Sequence, residues 1–386
     1  MGAFETGIYR NIFLEIGKSP AEIEQKIRDA VNVFFYGSEE ERIYHPTEDD
    51  MGYLEDTGNH DARTEGMSYG MMMCVQLNMK EEFDRIWKWS KTHMYMGEGY
   101  NEGYFAWSCD LDGSKNAFGP APDGEEFYAM ALFFASHRWG DGEGIFNYSQ
   151  EARNILDACL HKGEGDRVGD PMWNPENKQI LFVPGSKFTD PSYHLPHFYE
   201  LFALWANEED RDFWKEAAKV SREYLAKACH PVTGMSPEYG NFDGTPMDEE
   251  LPWGGKHDKF FSDSYRTVAN ISLDAVWFGE DAGHLGAPLR LMRYFGTDLE
   301  AARCVYEVDG TPVDQMVLHP VGVLATTAQG ALTVPADAAS EDWKLAKQWV
   351  EWFWNKPLRK GERRYYDNCL YLFALLALSG NYRIYM

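Results

Sequence analysis

Hydrophobic residues recur along most of the chain at the spacing of an α-helix, and two kinds of predicted helix alternate. Helices of the first kind have one apolar and one charged face, which is typical of an outer helix with one side in water. They are predicted at 21–35, 80–93, 207–229 and 342–354, with weaker candidates at 149–161 and 289–306. Helices of the second kind are apolar almost all round, so they must be buried on every side. They are predicted at 66–77, 127–136, 198–206, 268–278, 321–332 and 370–378.

This order, an outer helix followed by an inner one, repeats six times at intervals of roughly 45 to 70 residues. Six inner helices closed into a ring and wrapped by six outer helices would satisfy it, so the sequence predicts an all-α fold, an (α/α)6 barrel or toroid. The inner helices would be parallel, with their N-termini on one rim. Long loops rich in Gly, Asp and Trp precede those N-termini, at 96–119, 163–191 and 232–259, so a groove is expected on that rim. No linker-like stretch interrupts the chain, so residues 1–386 are expected to form one domain, with short strands such as 179–183 confined to loops.

The composition argues against several classes of partner. The chain of 386 residues carries a formal net charge of -26, so nucleic acid and anionic membranes would repel it, whereas neutral or cationic small molecules would not. No apolar run reaches the roughly 18 residues of a membrane span, and residues 1–6 lack the basic start and apolar core of a signal peptide. The six cysteines are scattered without CxxC spacing, which favours reduced, buried thiols over disulfides or a metal site. We therefore expect a cytoplasmic protein without a metal or other cofactor.

Candidate chemistry lies where the inner helices begin. Thr64 is a predicted N-cap, Glu65 falls in the first turn after it, and an apolar face with Tyr69 and Met72 follows. The starts of three further inner helices each carry a polar group of a type used in catalysis, namely Asp123, Tyr193 and Asp263. On the predicted toroid these side chains and Glu65 point into one groove.

Glu65 and Asp263 are expected to stand in different surroundings. The apolar face behind Glu65 would desolvate its carboxyl group and raise its pKa against the helix dipole. Arg266, one turn after Asp263, is close enough to keep that carboxylate ionised. Taken singly, Glu65 is explained by the helix dipole and Asp263 by an ordinary ion pair with Arg266. Their convergence on one rim favours catalysis, because glycosidases use carboxyl groups whose pKa values are pushed apart as acid and base.

Four ordered motifs resemble those of the family 8 glycoside hydrolases. They are Thr-Glu-Gly-Met-Ser-Tyr-Gly-Met-Met at 64–72, Ala-Pro-Asp-Gly-Glu at 121–125, Asp-Pro-Ser-Tyr at 190–193 and Asp-Ser-Tyr-Arg at 263–266. The resemblance extends over nearly the whole chain, to Arg-Tyr-Tyr-Asp-Asn at 364–368. It implies an (α/α)6 barrel of an inverting hydrolase that acts on β-1,4 glycans, which agrees with the fold derived from the helix pattern.

The resemblance also implies roles for the residues at the rim. Glu65 would be the general acid that protonates the glycosidic oxygen, and Asp263 the general base that activates water on the opposite face. Asp123 would bind and help to distort the sugar at subsite -1, and Tyr193 would help to hold the attacking water. Arg266 would keep Asp263 charged. The carboxyl groups of such an inverting pair are expected to be roughly 6.5 to 9.5 Å apart.

Within the family, the likeness is greatest to the branch that releases xylose from the reducing end of xylo-oligosaccharides. Leu318-His319-Pro320 resembles a loop that blocks the cleft beyond subsite +1 in that branch, where His319 would contact the reducing-end hydroxyl. From the residues alone, this tripeptide is a helix-start turn with Pro320 near position N1. The expected cytoplasmic location agrees with the branch, because imported short chains can be present inside a cell and polymeric xylan cannot.

Four further residues are candidates for contact with sugar. By resemblance, Trp107 would be a stacking platform on the -2 or -3 side. Tyr365 and Tyr366 open the last inner helix and would line the groove. Arg63, beside the acid, would bond the sugar at +1.

Two alternatives stay open. One is an endo-acting family 8 xylanase, endoglucanase or chitosanase. The other is a non-catalytic sugar-binding toroid, although the presence of both acids and of Tyr193 speaks against it. Two weaker signals are set aside: His194 and His197 have no third ligand at helical spacing for zinc, and residues 55–61 are predicted to be an acidic solvated turn rather than a calcium loop.

Overall fold

Twelve helices alternate between outer and inner positions, as the hydrophobic pattern predicts. The computed structural model describes all 386 residues. In chain order its helices are α1 (Ala3–Thr6), α2 (Ile12–Glu15), α3 (Pro20–Tyr36), α4 (Thr64–Leu77), α5 (Lys80–Trp89), α6 (Pro122–Trp139), α7 (Tyr148–His161), α8 (Pro196–Trp205), α9 (Arg211–Ala228), α10 (Tyr265–Trp277), α11 (Ala287–Phe295), α12 (Pro320–Gln329), α13 (Glu341–Asn355) and α14 (Arg364–Leu378). The even-numbered helices from α4 to α14 are the inner ones, and the odd-numbered helices from α3 to α13 are the outer ones.

Short elements fill the connections between these helices. The strands are β1 (Tyr44–Pro46), β2 (Gly52–Leu54), β3 (Asp61–Arg63), β4 (Ser108–Asp110), β5 (Lys259–Phe260), β6 (Cys304–Glu307) and β7 (Pro312–Met316). Turns of 3-10 helix occupy Gly144–Phe146, Pro191–Tyr193, Glu208–Asp210, Ser262–Ser264, Ala301–Arg303 and Gly330–Thr333, and a π-helical turn at Ser90–Met94 continues α5.

The six inner helices form a closed ring. α4 packs on α6, α10 on α12 and α12 on α14, while α8 contacts both α6 and α10, and the contact of α14 with α4 closes the circle. Burial explains why these sequences lack a polar face: every residue of α14 is buried. None of the helices is long and apolar enough to cross a membrane. The fold is therefore the predicted (α/α)6 barrel.

Each outer helix except α3 packs on the inner helix that precedes it in sequence. α5 packs on α4, α7 on α6, α9 on α8, α11 on α10 and α13 on α12, while α3 packs on α14 at the other end of the chain. The amphipathic pattern accounts for this packing, since α9 buries Trp214, Ala217, Ser221 and Leu225 at helical spacing. The long loops then lead from each outer helix to the start of the next inner helix, so they gather at the rim of the inner N-termini.

Aromatic rings fill the axis of the barrel. The ring centre of Tyr69 on α4 lies 4.7 Å from that of Phe127 on α6 and 5.0 Å from that of Phe373 on α14. Phe127 also lies 4.9 Å from Phe198 on α8. A cavity of only about 30 Å³ remains among these rings, beneath Arg266. The axis is thus a packed core, and the groove is confined to the rim.

The apolar core extends along the chain. Its largest cluster of contacting side chains runs from Ile12 to Ile384. All six cysteines are free and five of them are buried, as predicted, while Cys304 on β6 is partly exposed.

Three small antiparallel sheets lie in the loops, where the sequence predicts short strands but neither their positions nor their pairing. β1 pairs with β2, β3 with β4, and β5, β6 and β7 form the third sheet. β3 leads directly into α4, β5 precedes the turn that carries Asp263, and β7 precedes the Leu318-His319-Pro320 loop. Two of the three sheets, β3–β4 and β5–β6–β7, therefore place candidate functional residues at the groove.

Two local predictions are wrong. The outer helix predicted at 289–306 ends at Phe295, where Gly296 adopts a φ of +58°, and Cys304–Glu307 forms β6 instead. Its Val305 and Tyr306 favour an extended backbone. The strand predicted at 179–183 is reduced to an isolated bridge between Trp173 and Ile180, because the N–H groups of Phe182 and Val183 donate to Phe188 and Ser186 within the same loop and do not extend the ladder.

Gly124 is a point of very close approach between α6 and α4. A Cβ atom at this position would lie 2.5 Å from Thr64 Cβ and 2.6 Å from Thr64 Oγ1, so the two helix starts must shift to admit it. We expect Gly124→Ala to lower the free energy of unfolding by about 1–3 kcal/mol through overpacking. Chemical denaturation measures this change.

The matched control is Gly119→Ala, because a Cβ atom at Gly119 meets no atom within 4 Å. If the two variants unfold with the same free energy, the contact between α6 and α4 does not limit stability.

Candidate active site

The guanidinium group of Arg266 is buried at the centre of the rim and surrounded by carboxylates. Nη1 donates to Glu65 Oε2 at 2.7 Å and to Asp123 Oδ2 at 3.1 Å. Nη2 lies 3.4 Å from Asp263 Oδ1 and 3.7 Å from Asp190 Oδ2. These acids stand at the starts of α4, α6, α10 and α8 respectively. One cation therefore joins the starts of four inner helices.

The contact between Arg266 and Asp263 that the helix spacing predicts is present, but it is not the shortest. The arginine lies closer to Glu65 and Asp123, whose side chains are 17% and 8% exposed, than to Asp263, whose side chain is 29% exposed. The i,i+3 spacing brings the two side chains near each other, but the long arginine side chain reaches on toward the axis of the barrel. Arg266 is thus a shared partner, whereas the sequence suggests a partner of Asp263 alone.

The Glu65 carboxyl group is held at both oxygens. Arg266 binds Oε2, and the Tyr365 hydroxyl donates to Oε1 at 2.8 Å. Burial raises the pKa of Glu65 to about 7 against the opposing charge of Arg266, with Asp123 and Asp263 adding to the rise. The predicted direction is therefore confirmed, and this carboxyl group keeps its proton to a higher pH than an ordinary glutamate does.

The first turn of α4 differs from the prediction at Thr64. This residue is the first of the helix rather than its cap, and Arg63 occupies the cap position without a side-chain hydrogen bond to the helix. The hydroxyl of Thr64 has no hydrogen-bond partner. The reason is packing, because the Thr64 side chain lies against Gly124 of α6.

Two further buried carboxyl groups share the arginine. Burial raises the pKa of Asp123 to about 6 against the charge of Arg266. Asp190 is buried; its Oδ1 accepts from the Ser192 amide at 2.7 Å, its Oδ2 has no hydrogen-bond partner, and burial raises its pKa. A single cation cannot balance four carboxylates, so some of these groups keep their protons near neutral pH.

Asp263 is presented by a strained turn between β5 and α10. Ser262 has a φ of +38°, in the left-handed region that residues other than glycine seldom adopt. The Ser264 hydroxyl bonds both the N–H and the carbonyl of Phe261, each at 2.9 Å. The Tyr366 hydroxyl donates to the Ser262 carbonyl at 3.2 Å. Neighbouring groups thus hold a backbone conformation that is unfavourable on its own.

Tyr193 ends a 3-10 turn that is fixed from two sides. Asn270 Nδ2 donates to a carbonyl of this turn at 2.9 Å, and the Tyr199 hydroxyl donates to the Tyr193 carbonyl at 3.0 Å. The Tyr193 ring centre lies 5.6 Å from Cζ of Arg266. Burial raises the pKa of its hydroxyl, so the group stays neutral and able to donate a hydrogen bond.

Two cavities of unequal size meet at Glu65 and Asp263. The larger cavity, of about 560 Å³, is lined mainly by Asp123, Arg266 and five aromatic side chains, Trp107, Phe182, Tyr193, Tyr239 and Trp253. The smaller cavity, of about 210 Å³, is lined mainly by Asp56, Ser262, Leu318, His319, Arg363, Tyr365 and Tyr366. Arg63, Glu65 and Asp263 border both cavities. Most of the predicted site residues therefore do come together.

Arg63 is held beside the acid by two carboxylates and an indole ring. Its Nε lies 3.0 Å from Asp61 and 3.1 Å from Asp56, and its Cζ lies 5.2 Å from the ring centre of Trp107. Both aspartates belong to the turn at 55–61, which the sequence predicts to be solvated, yet each is only 7% exposed. That prediction is wrong, because the turn folds onto the arginine.

The Leu318-His319-Pro320 loop contributes two of its three residues to the smaller cavity. Leu318 and His319 line it, whereas Pro320 is the first residue of α12 and does not. Burial, with the nearby charges of Arg359 and Arg363, lowers the pKa of His319 to about 4. The imidazole is therefore neutral, and its Nδ1 has no hydrogen-bond partner. The ring can still bind a sugar hydroxyl.

Several residues of the site are not singled out by the sequence. The ring of Phe182 is tilted against that of Tyr239, with 4.2 Å between ring centres, and is stacked against that of Trp253 at 5.9 Å. These rings lie in two of the three long loops that were expected to form the groove, so the aromatic content of the loops was an available signal. Asp190 lies inside a recognised motif but had no assigned role. Asp56 gave no signal, because its neighbours in sequence resemble a surface turn.

Two carboxyl groups facing a groove on the rim of an (α/α)6 barrel are the arrangement expected of a glycoside hydrolase. The chain belongs to family 8 of these enzymes, since the model of "Glycosyl hydrolases family 8" matches residues 47–380.

Relatives of known activity resemble the chain along its whole length. It is 57% identical over 385 residues to a reducing end xylose-releasing exo-oligoxylanase of Halalkalibacterium halodurans, covering 100% of this chain and 96% of that one. A protein of the same name from Bifidobacterium adolescentis is 50% identical over 374 residues, covering 97% of this chain and 96% of that one. Among solved structures, Rex8A from Paenibacillus barcinonensis complexed with xylose has a TM-score of 0.95 and 53% identity, with 100% of both chains covered.

Glu65 is expected to make the stability of the fold depend on pH. Its pKa of about 7 in the folded protein exceeds the value of about 4.3 expected for an unfolded chain. The resulting stabilisation is complete below the unfolded value and is lost as the pH rises through the folded one. Glutamine at position 65 does not titrate, so Glu65→Gln does not undergo this loss. The free energy of unfolding of the variant minus that of the wild type should therefore rise with pH, by on the order of 1–3 kcal/mol.

Chemical denaturation of both proteins from acidic to slightly alkaline pH measures this difference. Glu249→Gln, which changes an exposed residue outside the site, should run parallel to the wild type. A difference between Glu65→Gln and the wild type that stays constant across the range would contradict the raised pKa.

Proposed function

We propose that the protein is an inverting glycoside hydrolase that releases xylose from the reducing end of β-1,4-xylo-oligosaccharides. The observation that carries this proposal is the position of Glu65 and Asp263 at the junction of a larger and a much smaller cavity. The full-length similarity to relatives named for this reaction supports the substrate.

Glu65 acts as the general acid in this proposal. Burial lifts its pKa to about 7, so the resting enzyme holds the proton that the glycosidic oxygen needs. The Tyr365 hydroxyl and Arg266 fix the direction of the carboxyl group. Once the proton has been donated, Arg266 at 2.7 Å stabilises the new carboxylate. Burial thus favours the acid before the reaction, and the arginine favours the anion after it.

Asp263 acts as the general base. Its side chain is the most exposed of the four around Arg266, at 29%, so water can reach it. The neutral hydroxyl of Tyr193, in the same cavity, would hold that water for attack on the anomeric carbon. Attack from the face opposite the departing sugar inverts the configuration.

Asp123 binds the sugar at subsite -1. It lines the larger cavity together with Glu65 and Tyr193, and Arg266 fixes its Oδ2 at 3.1 Å. A carboxyl group in this place can hydrogen-bond the ring hydroxyls of the sugar and favour a distorted ring, which lowers the barrier to cleavage.

The smaller cavity supports removal of one terminal sugar. Its volume of about 210 Å³ compares with about 560 Å³ on the other side of Glu65. Leu318 and His319 line it, and Arg63 and His319 offer hydrogen bonds to the hydroxyls of the reducing-end sugar. An endo-acting enzyme would need room for a continuing chain on this side.

We assign this activity to one catalytic domain, residues 1–386, in the cytoplasm. The apolar cluster from Ile12 to Ile384 supports one folding unit. The six free cysteines fit a reducing compartment, where imported short oligosaccharides are available. Cell fractionation tests the location.

Xylotriose is the substrate that tests the proposal. We expect xylose and xylobiose in equal amounts, because the smaller cavity takes the reducing-end sugar. Xylotriose whose reducing end has been converted to the alditol should resist, since the terminal ring is lost. In proton NMR spectra of the same reaction, xylobiose should appear first as the α-anomer.

Other outcomes would favour the alternatives. Mixed mid-chain products from long xylan would contradict exo action, and an initial β-anomer would contradict inversion. Binding of xylotriose without turnover would point to a sugar-binding toroid.

Glu65→Gln and Asp263→Asn separate the roles of acid and base. Each should lower kcat on xylotriose by at least about a hundredfold, because one proton transfer is lost. On β-xylobiosyl fluoride, whose fluoride departs without protonation, Glu65→Gln should recover much of its rate and Asp263→Asn should not. Steady-state kinetics measure both effects, with circular dichroism to establish folding.

The control is Glu249→Gln, which should behave as the wild type on both substrates. If the two site variants respond alike to the fluoride, or if either keeps a near-normal kcat on xylotriose, the assigned roles are wrong.

A further inference from the structure

We propose that Tyr366 is a positioning residue for Asp263, holding through its hydroxyl the turn that presents this carboxylate. The role rests on the proposed function, in which Asp263 is the general base. It differs from the contact with sugar that the sequence suggests for Tyr366.

The hydrogen bond acts on the peptide unit that orients Asp263. Ser262 precedes Asp263, and its carbonyl belongs to the peptide bond between the two residues. Because Ser262 has a φ of +38°, this peptide unit would turn to a more favourable conformation if nothing held it. Tyr366 is the residue whose side chain binds that carbonyl, at 3.2 Å, beside the backbone N–H of Tyr265 within the turn itself. Ser264 holds the preceding residue, Phe261, but not this carbonyl.

Tyr366 is well placed to hold the turn because it is itself fixed. It belongs to α14, in which every residue is buried. The next residue, Asp367, accepts from the Gly322 amide at 2.6 Å and pairs with Arg359, so the start of α14 is tied to the start of α12. The ring of Tyr366 also lies 4.8 Å from that of His319.

The same tyrosine connects the smaller cavity with the base. Ser262, His319 and Tyr366 all line this cavity, so the sugar bound there lies against the group that holds the turn of Asp263. Loss of the hydroxyl would let the base move away from the attacking water. A displacement of about 1 Å at a reacting group can cost on the order of a hundredfold in rate.

β-Xylobiosyl fluoride distinguishes a positioning role from sugar binding, because it places no sugar in the smaller cavity. We expect Tyr366→Phe to lower kcat on this fluoride by roughly tenfold or more, with a similar fall on xylotriose and little change in KM. If Tyr366 only binds the reducing-end sugar, the fluoride will be hydrolysed at the wild-type rate and KM for xylotriose will rise. That result would overturn the proposal.

Tyr371→Phe is the matched control. Tyr371 is a buried tyrosine of the same helix, and its hydroxyl donates to a backbone carbonyl, that of Lys356, at 2.8 Å. It does not line either cavity of the site. Its variant should keep the wild-type rate on the fluoride. An equal loss of rate in both variants would overturn the proposal, because it would show that loss of any buried tyrosine hydroxyl in α14 lowers the rate.

4-Aminophenylalanine at position 366 tests rescue, since it keeps an N–H donor at the same point of the ring. We expect a rate within about threefold of the wild type, given that the hydrogen bond is what fixes the geometry. A rate as low as that of Tyr366→Phe would overturn the proposal. If Tyr366→Phe does not fold, the 4-aminophenylalanine variant is compared with the wild type alone. A folded variant that is at least tenfold slower than the wild type would then overturn the proposal.

Different results would refute the proposed function and the role of Tyr366. A wild-type protein without activity on xylotriose or the fluoride would refute the proposed function. An active wild type with an unaffected Tyr366→Phe variant would refute only the role of Tyr366.

Discussion

The site depends on one buried cation, the guanidinium group of Arg266, which contacts carboxyl groups from the starts of four inner helices. Without it, these acids would repel one another across a poorly solvated rim. With it, they converge, yet a single positive charge leaves an excess of acid. Burial raises the pKa values of Glu65 and Asp123, and the neighbouring carboxylates add to the rise. The interaction that holds the barrel rim together thus also sets which groups carry protons.

The sequence predicts the barrel well because a helix that is buried on every side must be apolar on every side, and this pattern is visible in its own residues. An inner helix such as α14 has no exposed residue and therefore no polar face. The small sheets are different. β3 pairs with β4, so residues 61–63 meet residues 108–110, and nothing within either short segment indicates the partner. Such strands depend on segments that lie far apart in sequence and are neighbours only in the folded barrel.

The same distinction applies to the site. Glu65, Asp123, Tyr193 and Asp263 were predictable as a group, because parallel inner helices must bring their N-termini to one rim. The partners of Arg266 were not, since sequence spacing indicates only the neighbour within its own helix. The polar neighbours of Asp56 in sequence likewise indicate a surface turn, and only the fold places Asp56 against Arg63. Local pattern therefore locates the site, whereas its charge balance comes from contacts between helices.

The aromatic rings of Tyr69, Phe127 and Phe373 have a consequence for the route that sugars take. They fill the barrel axis so closely that only about 30 Å³ remains beneath Arg266, far too little for a sugar ring to pass. The site has no rear exit. Any chain bound in the groove must therefore enter and leave on the same face of the barrel, so departing fragments and incoming chains share one rim.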